Sequence, residues 1–156
     1  MSSLSPREGF LADYLQFLLA TASGIASHGF HLQTVEAGVP VAEWRVLACL
    51  SDKDGQTVTE LARLAQMEQS RLTRVVERMD KRGLVTRQRS VADRRNVFVH
   101  LTPEGARLAS DLVAQAKAHE AEFLASLLTP EEGTQLKSLL TTLIARADPV
   151  HAVRRG

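Results

Sequence analysis

Between residues 68 and 82, apolar side chains recur at Leu72, Val75, Val76 and Met79, the i, i+3, i+4, i+7 spacing of one helical face. Ser70, Arg74, Glu77 and Lys81 fall roughly opposite that stripe; Arg71 and Arg78 border it on one side and Thr73 on the other. This predicts a helix from about Glu68 to Arg82 with one packing face and one polar, cationic face. Gly83 follows as a residue suited to the left-handed backbone just past a helix end. Leu84–Gln88 and Asn96–Leu101 are then expected to pair as antiparallel strands. Val97, Val99 and Leu101 alternate there with Phe98 and His100, a period of two.

The flanking patterns predict helices. Ser5-Pro6-Arg7-Glu8 joins a capping serine, a proline at the first helical position and a glutamate able to close a capping box. A helix is expected from about Pro6 towards Val35, ending before Gly38-Val39-Pro40. Leu11, Tyr14, Leu15, Leu18, Leu19, Ala22 and Ile25 form its stripe, which needs a partner surface. A second helix covers Val41 to Ser51, with Trp44, Leu47, Ala48 and Leu50 inward, and Asp52-Lys53-Asp54-Gly55 makes a turn. Thr57-Val58-Thr59-Glu60 opens a short helix to about Ala65, with Val58, Leu61, Ala62 and Ala65 on one side. A turn follows near Gln66-Met67.

Thr102-Pro103-Glu104 begins a helix to about Leu128, with Leu108, Leu112, Ala116, His119, Phe123 and Leu127 along one side. Thr129-Pro130-Glu131-Glu132 begins the last, about Pro130 to Ala147. Asp148–Gly156 is expected to fray. The expected class is mainly α (α+β), in the order α-α-α-α-β-β-α-α. It divides into an N-terminal helix (1–40), a middle lobe (41–101), C-terminal helices (102–148) and a tail (149–156), read together as a single domain.

Composition narrows the function. The 156 residues suffice for one good core, and 4% aromatic content favours helix over sheet. No run approaches 18 consecutive apolar residues, so no membrane span is expected. MSSLSPREGF lacks a basic-then-apolar signal pattern, so a cytoplasmic location is the default expectation. Cys49 is the only cysteine, which excludes an intramolecular disulfide. Within Val46-Leu47-Ala48-Cys49-Leu50 it reads as a buried, inert thiol rather than a redox sensor.

The net charge of +1 conceals segregation. Residues 71–95 hold nine cations (Arg71, Arg74, Arg78, Lys81, Arg82, Arg87, Arg89, Arg94, Arg95) against Glu77, Asp80 and Asp93, a local +6. A compact basic block on an otherwise acidic chain suggests a polyanion-binding face. Arginine can bind the O6/N7 edge of guanine through two hydrogen bonds, and Ser, Thr and Gln reach base edges or phosphates. Gln69, Ser70, Thr73 and Arg74 are placed nearest the bases, because the N-terminal residues of such helices reach deepest. Arg78, Lys81 and Arg82 are assigned to phosphates or to solvent. A solvated amphipathic helix is an equal alternative for this segment alone.

The strand pair changes that balance. Arg87, Arg89, Arg94 and Arg95 crowd one turn, where folding gains little from like charges. A narrow minor groove would attract them. Asp93 is expected to pair with Arg95 and set its direction.

No nucleophile elbow, phosphate-binding glycine loop or metal-ligand pattern is present, so neither an enzyme nor a cofactor is expected. His28 and His31 have the spacing of half a metal site, without a supporting Cys or carboxylate cluster.

Residues Val41 to Gly105 resemble the core of the MarR family (multiple antibiotic resistance regulators). The matching segments are AEWRVLACL, TVTELARLAQMEQSRLTRVVERMDKRGLV and RQRSVADRRNVFVHLTPEG. Asp93-Arg94-Arg95 corresponds to the family's D-x-R wing motif, and Leu101-Thr102-Pro103-Glu104-Gly105 to the entry into the following helix. The resemblance implies a winged helix-turn-helix homodimer in which the first helix and the last two interdigitate with a second subunit. It implies a repressor on a pseudo-palindromic double-stranded DNA operator, with recognition helices about 34 Å apart. Many members respond to an anionic aromatic or other small effector.

By the same resemblance, a ligand pocket between dimerisation helices and DNA-binding lobe would draw on His28, His31, Trp44 and Arg45. Arg45 or a histidine would meet a carboxylate, and Trp44 would stack on a ring. The plainer alternative makes Trp44 core and the histidines structural or exposed. A helical dimeric adaptor that binds protein is the competing function, and it leaves the arginine-rich turn unexplained.

Overall fold

The first predicted helix is two. In the computed structural model, which describes residues 9–147, α1 (Phe10–Asp13) and α2 (Leu15–Glu36) are separated at Tyr14. Tyr14 takes an extended backbone, φ −82° and ψ 108°, and its carbonyl accepts the Leu18 N–H as α2 begins. The apolar stripe runs straight across this break, because side-chain periodicity does not record one extended residue. The capping segment Ser5–Glu8 and the tail Asp148–Gly156 lie outside the described residues.

The remaining elements are α3 (Val41–Asp52), β1 (Gln56–Thr57), α4 (Val58–Leu64), α5 (Gln69–Lys81), β2 (Val85–Arg89), β3 (Val97–Leu101), α6 (Pro103–Leu127) and α7 (Pro130–Ala147). Helix thus dominates, with one small antiparallel sheet. Its strand order is β1-β3-β2, with Gln56 opposite Val99 and Arg87 opposite Val99 on the other side. β1 was not expected; two residues are too few to show alternation. Asp54 closes the adjoining backbone position, its Oδ1 accepting the Leu101 N–H at 2.8 Å. Gln56 is buried and donates through Nε2 to the carbonyls of Cys49 and Lys53, both at 2.8 Å, so it terminates α3.

Contacts group the chain into two units divided at Ala116–Lys117, within α6. In the first, Val46, Leu47 and Leu50 of α3, Leu61 of α4, and Leu72, Val75, Val76 and Met79 of α5 meet in one core. Val85 and Val99 cover it from the sheet, and Ala109 and Leu112 from α6. The entire predicted α5 stripe is buried. The inward face of α3 is rotated from the expected one. Glu43, Val46, Leu47 and Leu50 are buried, while Trp44, Ala48 and Cys49 are half-buried. The expected full burial of Cys49 is thereby reduced, although its burial and the nearby Asp52 still push its thiol pKa up.

Local chemistry ends each element. The Thr57 hydroxyl accepts the Glu60 N–H at the start of α4. Gly83, at φ 73°, ends α5 with the Leu84 N–H bound to the Met79 carbonyl and its own N–H bound to that of Asp80. Thr102 then joins two elements, donating to the Gly83 carbonyl at 2.6 Å and accepting the Gly105 N–H. Gly105 sits so close to β2 that a Cβ there would lie 1.9 Å from the Leu84 carbonyl oxygen.

In the second unit, Thr129 and Glu132 form the predicted capping box: the Thr129 N–H donates to Glu132 Oε2, and the Glu132 N–H to Thr129 Oγ1. Buried Gly133 faces Leu124, and Lys137 pairs with Glu120 at 2.6 Å. Leu127, at the end of the apolar side of α6, is 63% exposed, and Leu136, Leu139, Leu143 and Ile144 are also exposed. Leu11, Tyr14, Leu15, Leu18 and Ile25 of α1, Tyr14 and α2 share that condition. Among the described residues, no helix is long and apolar enough to cross a membrane.

Candidate nucleic-acid interface

Burial of one stripe of α5 fixes which side chains remain outside. Gln69, Ser70, Arg71 and Arg74 are exposed on its N-terminal half, and their side chains have no hydrogen-bond or ion-pair partner among the described residues. Thr73 is half-buried, and its hydroxyl donates to the Gln69 carbonyl at 2.9 Å. That bond occupies its proton and leaves the oxygen lone pairs available.

The C-terminal half differs. Arg78 Nε donates to Glu43 Oε1 at 2.9 Å, and Arg82 Nη1 donates to Glu43 Oε2. Arg82 Nη2 also donates to the Gly38 carbonyl at 3.2 Å. Arg78, grouped from sequence with the recognition residues, is thus held by a buried carboxylate. Glu43 was not singled out from sequence, although a signal exists. It lies i, i+3, i+4 and i+7 with Val46, Leu47 and Leu50, and a carboxylate on an inward stripe requires a cation.

β2 and β3 form the wing. Arg87 at its base does not project freely: Nε binds Asp80 Oδ2 at 2.9 Å and Nη1 binds Glu77 Oε1 at 3.3 Å, both on α5. These pairs register the wing against the helix. The tip is an ordered turn, with the Ser90 N–H on the Asn96 carbonyl, the Asn96 N–H on that of Asp93, and the Asp93 N–H on Ser90 Oγ. Asp93 Oδ1 accepts both the Arg95 N–H and Arg95 Nε, at 3.0 and 3.3 Å, the pairing expected from sequence. Arg95 nevertheless leaves 91% of its side chain exposed. Arg89 and Arg94 are exposed, without partners among the described residues.

The helix and wing enclose a cleft of about 140 Å³ lined by Thr57, Thr59, Gln69, Thr73, Arg87 and Arg95, among others. Four predicted site residues from two separate segments are therefore brought together there.

The effector candidates occupy another part of the same unit. Trp44 is half-buried against the core and meets the ring of buried Phe30 edge-on, centroids 5.1 Å apart. His31 is half-buried; burial first, then the charges of Arg45 and His28, hold its pKa below the ordinary value. His28 and Arg45 are exposed, and Arg45 Nη1 reaches the Ala65 carbonyl at 3.5 Å. The four candidates therefore form one neighbourhood of α2 and α3.

Residues 39–97 match the model of the MarR family. A MarR family transcriptional regulator of known structure from Silicibacter pomeroyi DSS-3 is 47% identical, with a TM-score of 0.79 over 90% of this chain and 100% of that one. This chain belongs to the MarR family. A further relative is the HTH-type transcriptional repressor MdtR of Bacillus subtilis (strain 168), 31% identical over 76% of this chain and 77% of its own length. CouR from Rhodococcus jostii RHA1, crystallised bound to p-coumaroyl-CoA, is 25% identical with a TM-score of 0.74, covering 91% of this chain and 97% of that chain. As a MarR regulator, the protein is a DNA-binding transcription regulator and not an enzyme.

Proposed function

We propose that this MarR protein is a repressor that occupies a pseudo-palindromic operator as a homodimer and is released by a small anionic aromatic ligand. The observation that carries the reading is the row of unpartnered polar and cationic side chains, Gln69, Ser70, Arg71 and Arg74, on a helix whose apolar face is sealed. Such a helix end fits the major groove, where Gln69, Ser70, Thr73 and Arg74 meet base edges and Arg71 meets phosphate. Arg89, Arg94 and Arg95 serve the adjacent minor groove, with Asp93 directing Arg95. Arg78 and Arg87 contribute by position, since carboxylates already hold them.

The homodimer is supported by the uncovered apolar faces at both ends of the chain. Two-fold pairing would give two recognition helices and a two-part site. The ligand reading is supported by the aromatic pair Phe30–Trp44 beside His28, His31 and Arg45, and by the p-coumaroyl-CoA held in CouR. Trp44 would contact the ring and Arg45 the anionic group.

Selection of bound fragments from the source genome tests the reading. The expected product is an inverted repeat with half-site centres about one DNA turn apart. Binding should weaken steeply with salt, because each neutralised phosphate releases counterion. Arg74→Ala should relax base preference at one half-site position as well as lower affinity; a uniform loss would make Arg74 a phosphate contact. Salt-independent retention on duplex DNA would favour the protein-binding adaptor instead.

A further inference from the structure

The row of arginines on α5 is divided by one carboxylate. Arg71, Arg78 and Arg82 fall at i, i+7 and i+11, within about 40° of one another around the helix axis, and Arg74 lies beside them. All four would be equivalent cations on an isolated helix. In the fold, Arg71 and Arg74 have no partner among the described residues, whereas Arg78 and Arg82 share the fully buried carboxylate of Glu43 on α3.

The bonds are arranged for retention. Each guanidinium takes a different oxygen of Glu43, and Arg82 spends another N–H on the Gly38 carbonyl, at the junction of α2 and α3. A buried carboxylate cannot release its cations to a phosphate without standing uncompensated in the core. The guanidiniums are freer: their side chains remain 51% and 40% exposed, so water could hydrate them if the carboxylate were removed.

The geometry points to Glu43 as a positioning residue that decides which part of the recognition helix meets DNA. It withholds Arg78 and Arg82 from phosphates, ties the last turn of α5 to the α2–α3 junction, and leaves the N-terminal half to read sequence. This rests on the DNA-binding reading above. Two free guanidiniums at the far end of the helix would add attraction to any duplex without adding base contacts, and so lower discrimination.

The test compares Glu43→Gln with the unaltered protein on a random-sequence 40-bp duplex and on the selected operator fragment, across a salt series. For folded Glu43→Gln, affinity for the random duplex should rise several-fold at low salt. The slope of log affinity against log salt should steepen by about 0.9 for each guanidinium released to a phosphate. Preference for the operator should fall, and Glu43→Gln/Arg78→Gln/Arg82→Gln should bring the slope back. An unchanged slope and preference in folded Glu43→Gln would overturn the proposal.

Arg78→Gln decides the matter even if Glu43→Gln does not fold, because Arg82 still compensates the carboxylate. It should leave the slope unchanged. A flattening by about 0.9 would mean that Arg78 already meets phosphate, and the proposal would fall. If the unaltered protein binds neither duplex, the DNA reading itself fails and takes the proposal with it.

Discussion

α5 and α7 are both amphipathic, but their apolar faces have different fates. In α5, Leu72, Val75, Val76 and Met79 are all buried, covered by α3, α4, the sheet and α6. In α7 only Gly133 is buried, while Leu136, Leu139, Leu143 and Ile144 stay exposed. An amphipathic pattern therefore states that a face needs cover without stating which chain supplies it. The chain covers its own reading helix, and α7 is left for the proposed second subunit.

The comparison can be broken most decisively at α7. Leu139→Glu/Leu143→Glu should convert a dimer to monomer by sedimentation and abolish operator binding, with the helical signal of the first unit retained. A variant that still sediments as a dimer would separate α7 from dimerisation. In α5, Leu72→Ala should cost about 2–5 kcal/mol in denaturant unfolding, because it leaves a cavity in a sealed core. A cost near zero would mean that this core is less tightly packed than α7 is bare.

Gly105→Ala sharpens the boundary between core and wing. Its methyl would need the space of the Leu84 carbonyl, 1.9 Å away, which is backbone and cannot swing aside. A loss of about 1–3 kcal/mol is expected, with weaker operator binding as β2 shifts. Unaltered melting and binding would show that α6 can move off the sheet cheaply.

The smallest effect concerns His31 of α2. Burial, with help from Arg45 and His28, lowers its pKa in the folded state, so folding favours the neutral ring. The stability this provides is present above the ordinary histidine value and is lost as pH falls through the lowered one. The unaltered protein should therefore lose slightly more thermal stability than His31→Gln between about pH 8 and about pH 5.5. Equal losses would remove His31 from the pH response.

Much of this is legible in the sequence. The α5 stripe, its glycine stop, the strand pair and the Thr129–Glu132 box are short-range patterns, and each depends on residues a few positions apart. Within the candidate interface, the Asp93–Arg95 pairing was legible for the same reason. The break at Tyr14 left no trace in side-chain periodicity, and β1 was too short to leave one. Arg78 and Arg87 read as free cations because their carboxylates belong to other elements.

Short-range pattern thus places most of the helices and the paired strands β2 and β3, and shows that one segment concentrates positive charge, while the Tyr14 break and β1 escape it. Those properties depend on neighbours within a turn or two of backbone. Which of those charges are available depends on packing between distant segments. Glu43 lies 35 residues from Arg78, and nothing but the packing of α3 against α5 brings the carboxylate to it. Once buried, that carboxylate cannot remain unpaired, and so the fold rather than the local pattern divides the arginines of the recognition helix.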